Sequence, residues 1–187
     1  MTPDLSSYVA ILRRGGVVAC ATETLVGLLA DALDHDAVDR VARIKGRPPD
    51  EPIAVLIPDL AAAERIGILS AAARDLAANH WPGPLTLVVR ARPGLPALLL
   101  RDGCVGMRVP GPSPALSLVR AFGGVLTATS ANRSGEPPAR TAAEARAALG
   151  SDVDAIVPED APGGAPSTVV DATVTPPVVL RAGAIPL

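Results

Sequence analysis

Short apolar runs of strand length recur along this chain, and the first of them breaks off sharply into polar residues. Residues 17–21 stop at Thr22-Glu23-Thr24. Residues 125–129 run into Ser130-Ala131-Asn132-Arg133-Ser134-Gly135. Pro166-Ser167-Thr168 forms a third polar cluster, and Arg181 follows the last run. Apolar runs of this length bounded by turn signals read as buried strands. Others span 53–57, 85–89, 104–109, 155–157, 168–170 and 178–180. Between them lie helical patterns at 36–44, 59–66, 70–80, 113–122 and 141–149, the last with a Thr141/Glu144 capping box. A further helix is expected at the start, with Thr2-Pro3 as its cap and Gly15-Gly16 as its stop. Strands mixed with helices throughout, and clustered at the end, predict an α/β fold over 1–187. That fold would be a single domain with a twisted sheet of mixed parallel and antiparallel strands and flanking helices.

The chain has 187 residues, enough for one good core and few for two. Hydrophobic residues make up 49% of it but aromatics only 2%, so the core must be built from Ala, Val, Leu and Ile. A net charge of −2 argues against bulk electrostatic binding to nucleic acid or an anionic membrane. No apolar segment approaches the roughly 18 residues of a membrane span. The first residues lack the basic and apolar regions of a signal peptide. Cys20 and Cys104 stand far apart with no metal-ligand spacing, and His35 and His80 belong to no ligand cluster. A cytoplasmic protein is the expectation.

Strands in α/β sheets usually end at ligand sites, so the polar clusters are the candidates for chemistry. A fourth cluster, Lys45-Gly46-Arg47-Pro48, follows a helix. Among 17 basic residues Lys45 is the only lysine, which suggests a place where a slim ammonium serves and a planar guanidinium does not. Two cations this close repel each other unless an anion lies between them, and phosphate is the natural candidate. A solvated basic helix end is the plainer alternative. Neither the Walker phosphate loop nor the dinucleotide glycine fingerprint is present.

Taken in order, these segments resemble the YrdC-like family, the threonylcarbamoyl-AMP synthases that begin t6A modification of tRNA. The resemblance is carried by Gly15-Gly16-Val17-Val18, Thr22-Glu23-Thr24, Gly27-Leu28 and Ile44-Lys45-Gly46-Arg47-Pro48. It continues through Trp81-Pro82-Gly83-Pro84-Leu85-Thr86, Met107-Arg108-Val109-Pro110 and the Ser130–Gly135 cluster. Ser167-Thr168-Val169-Val170-Asp171 and Arg181-Ala182-Gly183 complete it. It implies the short single-domain form, joining L-threonine, bicarbonate and ATP into threonylcarbamoyl-AMP and pyrophosphate. Mg²⁺ would travel on the ATP, without protein ligands.

By the same resemblance, Lys45 and Arg47 would be the catalytic pair on the ATP phosphates. Ser130, Asn132, Ser167 and Arg181 would complete the nucleotide site, and Thr22, Thr24 and Arg108 would line the threonine and carbamate pocket. Arg90 lies outside the motifs. Further implied partners are a weak contact with tRNA or double-stranded RNA and a t6A transferase that receives the adenylate; no membrane is involved. The chain departs from the family pattern at Ala21, Val26, Glu51, Leu56 and Cys104. Val26, Leu56 and Cys104 favour an alternative, a diverged relative that adenylates another carbamate. A non-catalytic RNA-binding module is the second alternative, against which the acidic balance and scarce aromatics weigh.

Overall fold

The apolar runs pair edge to edge into one sheet, because each buried backbone N–H and C=O needs a partner. A computed structural model describes residues 4–48 and 50–187. In chain order the elements are α1 (Ser6–Leu12), β1 (Val18–Ala21), β2 (Val26–Leu29), α2 (His35–Lys45), β3 (Ala54–Leu56) and α3 (Leu60–Ile66). Then follow β4 (Gly67–Ile68), α4 (Ala71–His80), β5 (Leu85–Ala91), β6 (Leu100–Arg101), β7 (Cys104–Arg108) and α5 (Pro114–Phe122). The chain continues with β8 (Leu126–Ser130), α6 (Ala142–Leu149), β9 (Ala155–Ile156), β10 (Thr168–Asp171) and β11 (Val178–Arg181).

Across the sheet the order is β11-β10-β5-β7-β3-β8-β2-β1-β9, with β4 added to β5 and β6 to β7. The pairs β1–β9, β3–β7 and β5–β10 are parallel and the rest are antiparallel, so the sheet is mixed as expected. The Thr2-Pro3 cap lies outside the described residues. Strand β2 is missing from the sequence reading because Gly27 sits at its centre, and glycine weakens a strand signal. A Cβ on Gly27 would meet the Thr129 carbonyl at 3.4 Å, an ordinary contact. Strands β4 and β6 are two residues each, too short for any periodicity to register.

Period-two alternation then divides the central strands between two environments. On β5, Leu85, Leu87 and Val89 enter the core while Thr86, Val88 and Arg90 face a cavity. On β7, Val105 and Met107 are core and Cys104, Gly106 and Arg108 face the same cavity. The core side joins the buried faces of the helices, including Val38 and Val41 of α2 and Leu118 and Val119 of α5. Full burial of a leucine or valine stabilises by roughly 1.5–3 kcal/mol, which lets a core almost free of aromatics suffice. The helices start where their caps dictate. Asp34, Asp59, Ser70 and Ser113 each accept backbone N–H groups, and Thr141 and Glu144 close a capping box. The Trp81-Pro82-Gly83-Pro84 turn carries the chain from α4 into β5. Gly83 donates to the Val109 carbonyl at 2.9 Å, and the Trp81 indole donates to the Leu85 carbonyl at 2.7 Å. Among the described residues no helix is long and apolar enough to cross a membrane.

Candidate active site

The cavity over the sheet encloses about 630 Å³, within the range of small-molecule sites. Arg47, Arg90, Arg101, Arg108 and Arg181 line it against only Asp102 and Asp171. A chain with net charge −2 thus places a positive field in this cavity, which is what an anionic ligand requires.

One end is built on the turn between β1 and β2. The Thr22 hydroxyl donates to the Leu25 carbonyl at 2.7 Å and accepts the amides of Thr24 and Leu25, each at 3.1 Å. Its single proton is therefore engaged within the turn, so in the 3.0 Å bond between the two hydroxyls Thr24 is the donor. Between them Glu23 reaches across to Arg108 and forms an ion pair. Burial depresses the Arg108 pKa, Glu23 offsets that, and neighbouring Arg181 lowers it further. Arg181 is itself held to Ser167, donating to its carbonyl at 2.8 Å and to its hydroxyl at 3.2 Å. The Ser167 and Thr86 hydroxyls lie 2.9 Å apart.

The second end is built on the close of α2 and the loop after β8. Gly46 takes the left-handed conformation that ends the helix, with φ 59°. Lys45, only 3% exposed, turns inward. Its ammonium donates to the Ser130 carbonyl at 2.6 Å, the Asn132 carbonyl at 2.8 Å and Asn132 Oδ1 at 3.1 Å. Burial and the nearby Arg47 lower its pKa to about 8, with Glu51 pulling the other way. Asn132 in turn ties Arg133 and Glu136 through their carbonyls and accepts the Ser130 hydroxyl at 2.5 Å. Arg47 anchors to the carbonyls of Glu51 and Pro52 and to the Thr129 hydroxyl, with the Glu51 carboxylate 3.7 Å away.

Of the residues singled out from sequence, Thr22, Thr24, Arg47, Arg108, Ser130, Ser167 and Arg181 line one cavity. Lys45 and Asn132 are not among the lining residues but bond to Ser130, which is. The Lys45 ammonium, expected on phosphates, bonds here to oxygens of Ser130 and Asn132. Arg90, outside the motifs, also lines the cavity along with Val88 and Thr86. That was readable: Thr86, Val88 and Arg90 share one face at period two. Arg101 and Asp171 are also in the wall; no sequence signal marks Arg101, which sits in a two-residue strand. Val26, Leu56 and Cys104, where the chain departs from the family pattern, line the cavity as well. Cys20 is buried, its thiol pushed up to about 12 by desolvation, and offers no nucleophile. Among the described residues no group of three or more His, Cys, Asp and Glu side chains could hold a metal ion.

Comparison with known proteins gives the family. The Sua5/YciO/YrdC family model, described as telomere recombination, matches residues 10–183. A threonylcarbamoyl-AMP synthase of Pyrococcus abyssi is 37% identical over 182 residues, covering 94% of this chain and 53% of the relative. One of Bacillus subtilis is 36% identical over 187 residues, covering 98% and 54%. The chain spans about half the length of these relatives. The crystal structure of P. abyssi Sua5 complexed with L-threonine superposes with a TM-score of 0.93 at 35% identity, covering 98% of this chain and 55% of that one.

Proposed function

The chain belongs to the Sua5/YciO/YrdC family, and from that premise we propose that it is an ATP-dependent synthase of L-threonylcarbamoyl-AMP. The cavity's charge carries the reading: five arginines face two aspartates in an otherwise acidic chain. Threonine carries a carboxylate, its carbamate and the triphosphate are anionic, and the reaction must hold them side by side. The amine of L-threonine condenses with bicarbonate, losing water, to give a carbamate. A carbamate oxygen then attacks the α-phosphorus of ATP, the bond to the β-phosphate oxygen breaks, and pyrophosphate leaves. No protein nucleophile is needed, so catalysis is positioning and charge neutralisation.

Arg108 takes the threonine carboxylate, with Thr22 and Thr24 shaping the turn beneath it. Arg181, held by Ser167, neutralises charge between the two substrates. Arg47 and the Ser130 wall take the phosphates. Lys45 and Asn132 serve that wall from behind by fixing the loop 130–136. Mg²⁺ enters on the ATP, where it would neutralise part of the triphosphate charge. The product is an activated carbamate suited to a transferase that acts on tRNA.

A second reading has Val26, Leu56 and Cys104 in its favour, because all three line the cavity. It keeps the chemistry and replaces threonine with another amine. One assay separates the two: pyrophosphate release by the purified chain with ATP, bicarbonate and a panel of amino acids, the product identified by mass. Release that requires threonine supports the first reading. Release with a different amine and not threonine supports the second, and no amino-acid-dependent release by folded protein contradicts both.

A further inference from the structure

Glu23 has no task in the chemistry above, yet it is one of the most constrained side chains behind the cavity wall, paired with Arg108, which lines it. Oε1 accepts from Arg108 Nη1, while Oε2 is buried without a hydrogen-bond partner. The two side chains are 13% and 10% exposed. Arginine and carboxylate pair most strongly as a two-pronged fork, and a pair kept only for stability would be expected to use it. Here the pairing is single-pronged. One carboxylate oxygen goes without a donor, and the rest of the guanidinium is left free beside the cavity that Arg108 lines.

Glu23 is also held rigidly. Thr22 Oγ1 accepts the amides of Thr24 and Leu25, so the turn grips the residue from both sides. Gly111 abuts the glutamate chain so closely that a Cβ there would lie 3.0 Å from Glu23 Cγ. Nearby Arg181 repels Arg108, which without Glu23 would have no hydrogen-bond partner among the described residues. Charges close as well: two guanidinium groups and one glutamate leave a single positive charge, which one substrate carboxylate cancels.

We propose that Glu23 is a positioning residue that holds Arg108 by one edge so that its other edge receives the α-carboxylate of an amino acid. The proposal rests on the reading of this cavity as an amino-acid site and adds the residue that makes it selective for a carboxylate. Glu23 touches no substrate; it acts through Arg108.

The test is calorimetric titration of the whole chain with L-threonine, L-serine, L-valine and L-threoninol, in which an alcohol replaces the carboxylate. Wild type is expected to bind threonine at least about tenfold more tightly than threoninol, the scale of one charge-assisted hydrogen bond. Glu23→Gln should lose most of that preference, leaving affinity for threoninol and for ATP within about twofold of wild type. Glu23→Asp should restore part of it. Gly111→Ala, which crowds the glutamate while keeping every charge, should weaken threonine in the same sense and reads the same quantity if Glu23→Gln fails to fold. A Glu23→Gln chain that keeps the full preference for threonine over threoninol overturns the proposal. Binding of serine or valine in place of threonine, with the same dependence on Glu23, supports the proposal and overturns the threonine reading alone. Binding of no amino acid overturns both.

Discussion

Two ends of one cavity carry buried positive charge and use it in opposite ways. At the Lys45 end the three ammonium protons meet the Ser130 carbonyl and both oxygens of Asn132, and the cation is a closed internal tie. At the Arg108 end a guanidinium has Glu23 as its single hydrogen-bond partner among the described residues and a second guanidinium close by. The first cation organises a loop; the second waits for an anion. A compact ammonium suits convergent carbonyls, and a planar fork suits a carboxylate, so the lysine and the arginine are not interchangeable here.

The comparison breaks most readily at Arg108. Arg108→Ala should lower threonine-dependent pyrophosphate release by about 100-fold or more, the scale of losing a preorganised charge contact. It should also destabilise the chain by about 3–5 kcal/mol, because the buried Glu23 carboxylate loses its partner. Activity assay and denaturant titration check the two effects separately.

Lys45→Met should act differently. Three buried acceptors lose their donor, and stability should fall by about 1–3 kcal/mol, lowering Tm by roughly 2–4 °C per kcal/mol. ATP-dependent turnover should drop as the loop 130–136 loosens, while threonine affinity stays near wild type. If Lys45→Met instead abolished threonine binding with no change in Tm, the two ends would not be distinct.

The pH response sharpens the same contrast. Burial and Arg47 hold Lys45 near 8, below its ordinary 10.5, so between those values the unfolded chain binds the extra proton. Stability rises with pH wherever the unfolded state binds more protons. Wild type should therefore gain stability relative to Lys45→Met as pH rises from 8 toward 10.5, and show no such relative change below 7. Urea midpoints of both proteins across that range read the difference. Burial lowers the Arg108 pKa too, but an arginine begins so high that no comparable change appears in the same window.

Arg90→Ala is the smallest expected effect. Arg90 donates to the Asp102 carbonyl at 3.2 Å on an exposed stretch while lining the cavity. A solvent-screened cation there should raise the ATP KM about threefold, with kcat nearly unchanged. No change at all would leave Arg90 without a part in ATP binding.

Much of this architecture is legible in the residues themselves. The α2 boundaries follow from Asp34, the apolar stripe and Gly46, and α6 from its capping box. Strand β2 is not legible, since Gly27 hides it, and with it goes the hairpin that aims Glu23. Of the nine site residues taken from motif order, seven line the cavity, because ligand-binding side chains cluster at strand ends. It cannot tell a cation that faces a ligand from one that faces carbonyls behind the wall. That depends on which way Lys45 leaves the end of α2, a tertiary choice made by the loop 130–136. Nor does it give Glu23 a task, because its pairing with Arg108 spans 85 residues of sequence.

The single lysine makes the central contrast directly measurable. Selective isotope labelling of lysine gives one side-chain signal, that of Lys45, and arginine labelling reports the Arg108 guanidinium. During titration with L-threonine, the Arg108 resonance should shift to saturation while the Lys45 signal stays in place. A Lys45 signal that moves while Arg108 does not would contradict the account.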